Sequence, residues 1–168
     1  MQGSTDERGT VAGQSTPAIA VLARHKVTHR THPYEVDAET PNYGAAVADT
    51  LGVEHARVFK TLVTDVDGIL TVAVVPVTGD VDLKALAAAS GGKRAGLADR
   101  QSAERATGYV RGGISPLGQR KALPTVVDES ASAFDTIYVS AGRRGLQVEL
   151  DPSDLVRLTR ATLARISS

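Results

Sequence analysis

Lys60 has a strong claim on chemistry because of the strand it sits in. Across Arg57-Val58-Phe59-Lys60-Thr61-Leu62-Val63, a β-strand would put Val58, Lys60 and Leu62 on one face and Phe59, Thr61 and Val63 on the other. Both faces are largely apolar, so the strand is expected to be covered on each side, with its lysine among apolar neighbours. An unpaired ammonium is costly there. Two roles stay open: a snorkelling lysine at a sheet rim, or a pocket lysine that holds a phosphate or stabilises developing negative charge. The second candidate is Gly112-Gly113-Ile114-Ser115-Pro116-Leu117-Gly118. Successive glycines let backbone N–H groups approach an anion or a carbonyl oxygen closely, although the same residues suit an ordinary turn into Pro116. Arg111, Arg120 and Lys121 flank this loop, which favours a negatively charged ligand.

Other arrangements fail on their own spacing. Gly91 and Gly96 have phosphate-loop separation, but Leu97 and Ala98 follow where Lys and Ser or Thr are required. His25, His29 and His32 lack a His-Glu-x-x-His frame, and an extended chain would point His29 and His32 to opposite faces, so no metal is expected. Ser115 is not in Gly-x-Ser-x-Gly, which removes the serine-hydrolase reading. The chain contains no cysteine, so it has no disulfide, no zinc-thiolate site and no thiol nucleophile of its own. Its 168 residues carry 19 basic and 19 acidic side chains. The charge is unevenly placed: the segment from Lys93 to Lys121 holds seven basic and two acidic residues, the side on which an anionic ligand is expected. No apolar run approaches the ~18 to 20 residues of a membrane span, and no secretory leader is evident, so a cytoplasmic protein is expected. With no Trp and two Phe, an extended platform of stacked rings for single strands is excluded.

The elements that must position these residues follow from capping and periodicity. Met1 to Ser15 is polar, rich in Gly and Ser, and reads as a disordered tail; residues 16–168 read as one domain. Thr16-Pro17 opens a helix to about His25. Thr28 to Glu35 is extended, and Asn42 is placed to cap a helix from Tyr43 to Leu51, stopped by Gly52. Arg57 to Val66 and Ile69 to Val77 form a hairpin through Asp67-Gly68. Asp80 to Ser90 gives a third helix ended by Gly91-Gly92, and Asp99 to Thr107 a fourth. Pro124 to Asp128, Thr136 to Ser140 and Leu146 to Leu150 are strands. Asp151-Pro152 starts a C-terminal helix in which Leu155, Leu158, Thr159, Thr162, Leu163 and Ile166 keep helical spacing. Hairpins with interspersed helices predict an α+β domain with a mixed, mainly antiparallel, curved sheet.

Taken as an ordered set, Thr16-Pro17-Ala18, His32-Pro33-Tyr34-Glu35, Phe59-Lys60-Thr61-Leu62, Thr107-Gly108-Tyr109, the Gly112 to Gln119 block, Ile137-Tyr138-Val139-Ser140 and Arg143-Arg144-Gly145-Leu146 resemble the YbaK-type Cys-tRNA(Pro) deacylases. That family is related to the editing domain of prolyl-tRNA synthetases. The resemblance covers everything except the tail. It implies a barrel-like sheet flanked by helices and a cofactor-free trans-editing enzyme that cleaves the ester joining a mischarged amino acid to tRNA(Pro). Prolyl-tRNA synthetase is an implied partner, and neither DNA nor membrane is. It implies Lys60 with the Gly112 and Gly113 amides at the ester, and Tyr34, Thr61, Ile114, Ser115, Ser140 and Gln147 around the aminoacyl group. Arg111, Arg120, Lys121, Arg143 and Arg144 would contact tRNA. In the family the substrate's own cysteine thiol is the proposed nucleophile, releasing a thiolactone, which suits a protein without cysteine. Some relatives have an acidic residue where this chain has Gln147, replacing a charge contact to the substrate amine by an amide hydrogen bond. The rival expectations are an Ala-tRNA(Pro) deacylase using water and a non-catalytic module that captures tRNA ends or docks on a synthetase.

Overall fold

Thr16 begins the first helix as its N-cap: its hydroxyl oxygen accepts from the Ile19 amide at 3.1 Å and donates to the Ala141 carbonyl at 2.5 Å. The computed structural model describes residues 15–168; apart from Ser15, the expected tail lies outside the described residues. Helix α1 (Pro17–Arg24) buries Ala18, Ile19 and Leu22. After β1 (His29–Pro33) comes α2 (Tyr43–Leu51), ended by Gly52 in the left-handed region. Asn42 precedes α2 but does not cap it through its side chain. It is itself left-handed, with φ of 53°, whereas a capping side chain needs an extended backbone.

Strands β2 (Phe59–Val66) and β3 (Ile69–Pro76) pair antiparallel with Val66 opposite Ile69. Asp67 and Gly68, with φ of 50° and 87°, supply the two left-handed residues that a two-residue turn matched to strand twist requires. Helix α3 (Leu83–Ala89) is capped by Asp82, and α4 (Arg100–Thr107) by Asp99. Between them lies β4 (Ala95–Leu97), which sequence reasoning missed. Then follow β5 (Thr125–Asp128), β6 (Ile137–Arg143), β7 (Leu146–Leu150), α5 (Pro152–Thr159) and β8 (Thr162–Ala164).

The fold is α+β, as expected, but its strands form two open sheets, curved and not closed into a barrel. One has the order β1-β7-β6 and is antiparallel throughout; the other has the order β4-β2-β3-β5-β8, with β3-β5 and β5-β8 parallel. A single parallel bridge, Val58 to Tyr138, joins them where β2 passes β6. The larger core lies between α1, the three-stranded sheet and the β3 and β5 side chains Val72, Val74 and Val127; a second lies under α3 around Ala73, Val75, Leu86 and Ile166. Among the described residues, no helix is long and apolar enough to cross a membrane.

The long C-terminal helix does not form. Helix α5 stops at Thr159, Arg160 turns left-handed at φ of 54°, and the chain adds β8 to the open edge of β5. The buried Asp128 carboxylate then accepts the Ile166 and Ser167 amides at 2.9 and 3.0 Å. Those amides would have bonded within a longer helix; a free sheet edge and a buried carboxylate outcompete it.

Candidate active site

A cleft of about 1020 Å³ is bounded by the first turn of α2, the first half of β2, the β4–α4 segment, the glycine loop and the neighbouring strands β6 and β7. It exists because β4 pairs with β2 only from Thr64 onward. The preceding residues of β2 therefore have β3 on one edge and no strand on the other, and side chains from both faces reach the opening.

Lys60 lines this cleft at its rim. Its side chain is 35% exposed, and its ammonium lies 3.6 Å from the Asp80 carboxylate. The expected apolar enclosure is thus corrected: the amine has a counter-ion, and its stem is the part that packs. Thr61 beside it has a buried hydroxyl with no partner. Tyr34 is buried, and its hydroxyl meets that of Tyr43 at 3.0 Å. Ser140 and Gln147 are directly opposed across β6 and β7, so both face the cleft. The Gln147 side chain is 7% exposed and its Oε1 is buried without a partner. The Ser140 hydroxyl is engaged locally, accepting from the Gly142 amide at 3.1 Å.

The glycine loop divides unevenly. Gly112, at φ of 87°, and Ile114 line the cleft, and their amides have no hydrogen-bond partner among the described residues. Gly113 does not serve as the expected amide donor. Its N–H closes a turn onto the Val110 carbonyl at 2.9 Å, and a Cβ there would sit 2.7 Å from the Arg143 Cα. Gly113 is needed because backbone passes against backbone. Ser115 is fully buried behind the loop, accepting from the Leu117 amide, and does not line the cleft. Tyr109 holds the loop from beneath by donating to the Leu117 carbonyl at 2.6 Å; burial pushes its pKa up to about 12, keeping that donor protonated.

Of the five expected tRNA contacts, Arg111 and Arg144 line the cleft, whereas Arg120, Lys121 and Arg143 do not. Arg120 is turned back towards the end of α4, its guanidinium packed beside Gly108. Sequence reasoning missed Tyr43, Leu97, Arg100 and Glu104, all of them lining residues. Burial, with the Tyr34 hydroxyl, drives the Tyr43 pKa upward, so this phenol stays neutral. The only available signal was the Arg100–Glu104 pair at helical i, i+4 spacing.

Further along the Gln147 face, Glu149 accepts from Thr136 at 2.5 Å and meets His32 at 2.9 Å, while the Arg57 guanidinium lies 5.2 Å from the Tyr138 ring centre. Burial would raise the Glu149 pKa, but these hydrogen bonds outweigh it and hold the carboxyl below its usual range. This network fixes β1, β6 and β7 behind the cleft. Chemically, the cleft offers two unengaged amides for an oxyanion, buried polar atoms for a small polar group and cations at the rim.

Comparison with known proteins identifies the family. A model of the aminoacyl-tRNA editing domain matches residues 38–158, a span that includes β2, the glycine loop and β7. An Enterococcus faecalis protein named "Putative Cys-tRNA(Pro)/Cys-tRNA(Cys) deacylase EbsC" is 40% identical over 157 residues, covering 92% of this chain and 94% of that protein. A crystal structure described as "a putative trans-editing enzyme for prolyl tRNA synthetase" superposes with a TM-score of 0.79 at 21% identity, over 94% of this chain and 96% of that one. Another, of a hypothetical protein, gives 0.80 at 24% identity, over 91% and 100%. Both solved structures share the fold, and the family model with the 40% identical relative extends the likeness to the sequence over most of the chain: the chain belongs to the aminoacyl-tRNA editing domain family.

Proposed function

We propose that this deacylase acts on Cys-tRNA(Pro) and that the substrate's own thiol is the nucleophile. The observation that carries the reading is the cleft itself: Lys60 and Thr61 on one strand, the Gly112 and Ile114 amides, and Gln147 open onto one cavity, in a chain with no cysteine. The ester carbonyl oxygen takes the two amides. The substrate sulfur attacks the carbonyl carbon; a C–S bond forms, the C–O bond to the ribose breaks, and the ribose oxygen receives the proton given up by the thiol. The products are tRNA with a free terminal hydroxyl and a cysteine thiolactone. Lys60 leaves Asp80 for the negative charge of the terminal nucleotide, and Gln147 Oε1 accepts from the substrate amine.

Discrimination then comes from reactivity. A pocket separates side chains differing by one small group by only ~1 to 3 kcal/mol, whereas a route that needs the thiol cannot run on alanine. The test is deacylation of Cys-tRNA(Pro) and Ala-tRNA(Pro) by the wild type and by Lys60→Ala. Cys-tRNA(Pro) is expected to be cleared at least 100-fold faster than Ala-tRNA(Pro), and Lys60→Ala to lose at least tenfold in kcat/KM. Equal clearance of both substrates assigns the reaction to water, and equal rates for both proteins remove Lys60 from it.

A further inference from the structure

Leu97 is 65% exposed, the most exposed large apolar side chain among the described residues, and it lines the cleft. Its place is fixed by the sheet, because it ends the outermost strand β4 and pairs with Thr64. At the other end of α4, Val110 is 62% exposed. Arg100 and Arg111 also line the cleft here. Glu104 ties them into one unit, its Oε2 accepting from Arg100 Nε at 3.1 Å and from the Arg111 amide at 2.9 Å. Asp99 is engaged as the cap of α4. Both carboxylates of the segment from Lys93 to Lys121 therefore work inside the protein, and the wall faces solvent with arginines beside bare hydrocarbon.

That combination fits one chemistry. A single-stranded nucleic acid presents alternately the apolar faces of its bases and one negative charge per phosphate; it is usually held by stacking on aromatic rings or guanidinium planes with cationic contacts to the backbone, and here an exposed leucine offers apolar contact to a base face in place of a ring. We propose that the β4–α4 wall is the track for the unpaired 3′ end of the RNA, with the terminal base against Leu97 and the next phosphates on Arg100 and Arg111. The strand leaves the cleft along α4. Eight residues of helix at ~1.5 Å each give a wall of about 12 Å. The inference rests on the proposed reading, in which the ester of an RNA 3′ end enters this cleft.

The experiment measures fluorescence anisotropy of a single-stranded RNA heptamer ending in CCA, carrying no amino acid, and of a blunt-ended RNA hairpin, at several salt concentrations. The proteins are the wild type, Leu97→Ser, the double variant Arg100→Ala/Arg111→Ala, and Arg157→Ala as an exposed arginine on α5. Leu97→Ser is expected to weaken heptamer binding at least fivefold with the salt slope unchanged. The double variant is expected to weaken it at least tenfold and to reduce the slope by about 1.4, from two phosphate contacts at ~0.7 each. Arg157→Ala should bind as the wild type, and all variants should melt within a few degrees of it. Wild-type affinity in Leu97→Ser overturns the track and leaves the exposed leucine to a protein partner; equal losses on heptamer and hairpin overturn it in favour of unselective polyanion binding. Because the probe carries no amino acid, a protein that binds it through Leu97 but deacylates nothing refutes the proposed function and leaves the track standing.

Discussion

Gln147 is poorly placed for stability, with its buried carbonyl oxygen unpartnered beside the cleft. A buried acceptor without a donor costs about 1 to 3 kcal/mol, and Gln147 Oε1 is in that condition; in the proposed function the substrate amine is the missing donor. Gln147→Met keeps the volume and removes the polar atom. Its melting temperature is expected to rise by a few degrees while KM for the aminoacyl-tRNA increases at least fivefold; thermal unfolding with steady-state kinetics reads both, and a fall in melting temperature would show that the amide is satisfied internally. Lys60 belongs with it at this scale. Sequence reasoning brought Lys60 to the right strand, but its counter-ion Asp80 comes from the loop after β3, a proximity set by tertiary folding alone. The glycine loop divides in the same way: its composition announced a backbone-lined site, yet which amides remain available depends on a turn bond from Gly113 to Val110 and on the close passage of Arg143.

At the scale of elements, what was legible carried local chemistry. Thr16-Pro17, Asp67-Gly68, Asp99 and Gly52 each fix a boundary through their own backbone preferences, whereas the third helix, expected from Asp80, starts after Asp82. What was not legible depended on distant partners. Strand β4 has three residues, one of them glycine, and is a strand only because β2 offers an edge; the region after Thr159 keeps helical spacing but joins β5. The second case has a measurable consequence through Asp128. Burial would raise its pKa, but hydrogen bonds from Ser130, Ile166 and Ser167 outweigh it and hold the carboxyl below the usual range. A depressed folded-state pKa gives stability that is complete above the unfolded value near 3.9 and is lost as pH falls through the folded value. Asp128→Asn is therefore expected to be less stable than the wild type at pH 7, with the gap in denaturant midpoint narrowing below about pH 4. A gap constant from pH 7 to pH 2 would show that the carboxylate's charge contributes nothing.

For the molecule as a whole, zero net charge sets how RNA can be held. A uniformly basic surface would bind any polyanion; here Lys60, Arg100, Arg111 and Arg144 line the cleft, and on the proposed reading affinity for RNA should be modest and salt-sensitive. The lip that carries Arg100 is in turn secured at the start of β4. The Asp67 carboxylate, at the hairpin tip, accepts the Lys93 and Arg94 amides at 2.8 and 3.0 Å, and the Asp67 amide donates to the Arg94 carbonyl at 3.0 Å. A residue recognisable as half of a reverse turn is also the clasp that fastens residues 93 and 94, and through them β4, against β2. Asp67→Ala is expected to weaken binding of the single-stranded heptamer several-fold, and Asp67→Asn, which tolerates the same backbone and retains one acceptor, to recover most of it. A laboratory screening this protein for loss of RNA affinity should therefore recover mutations at a hairpin tip that no nucleotide touches.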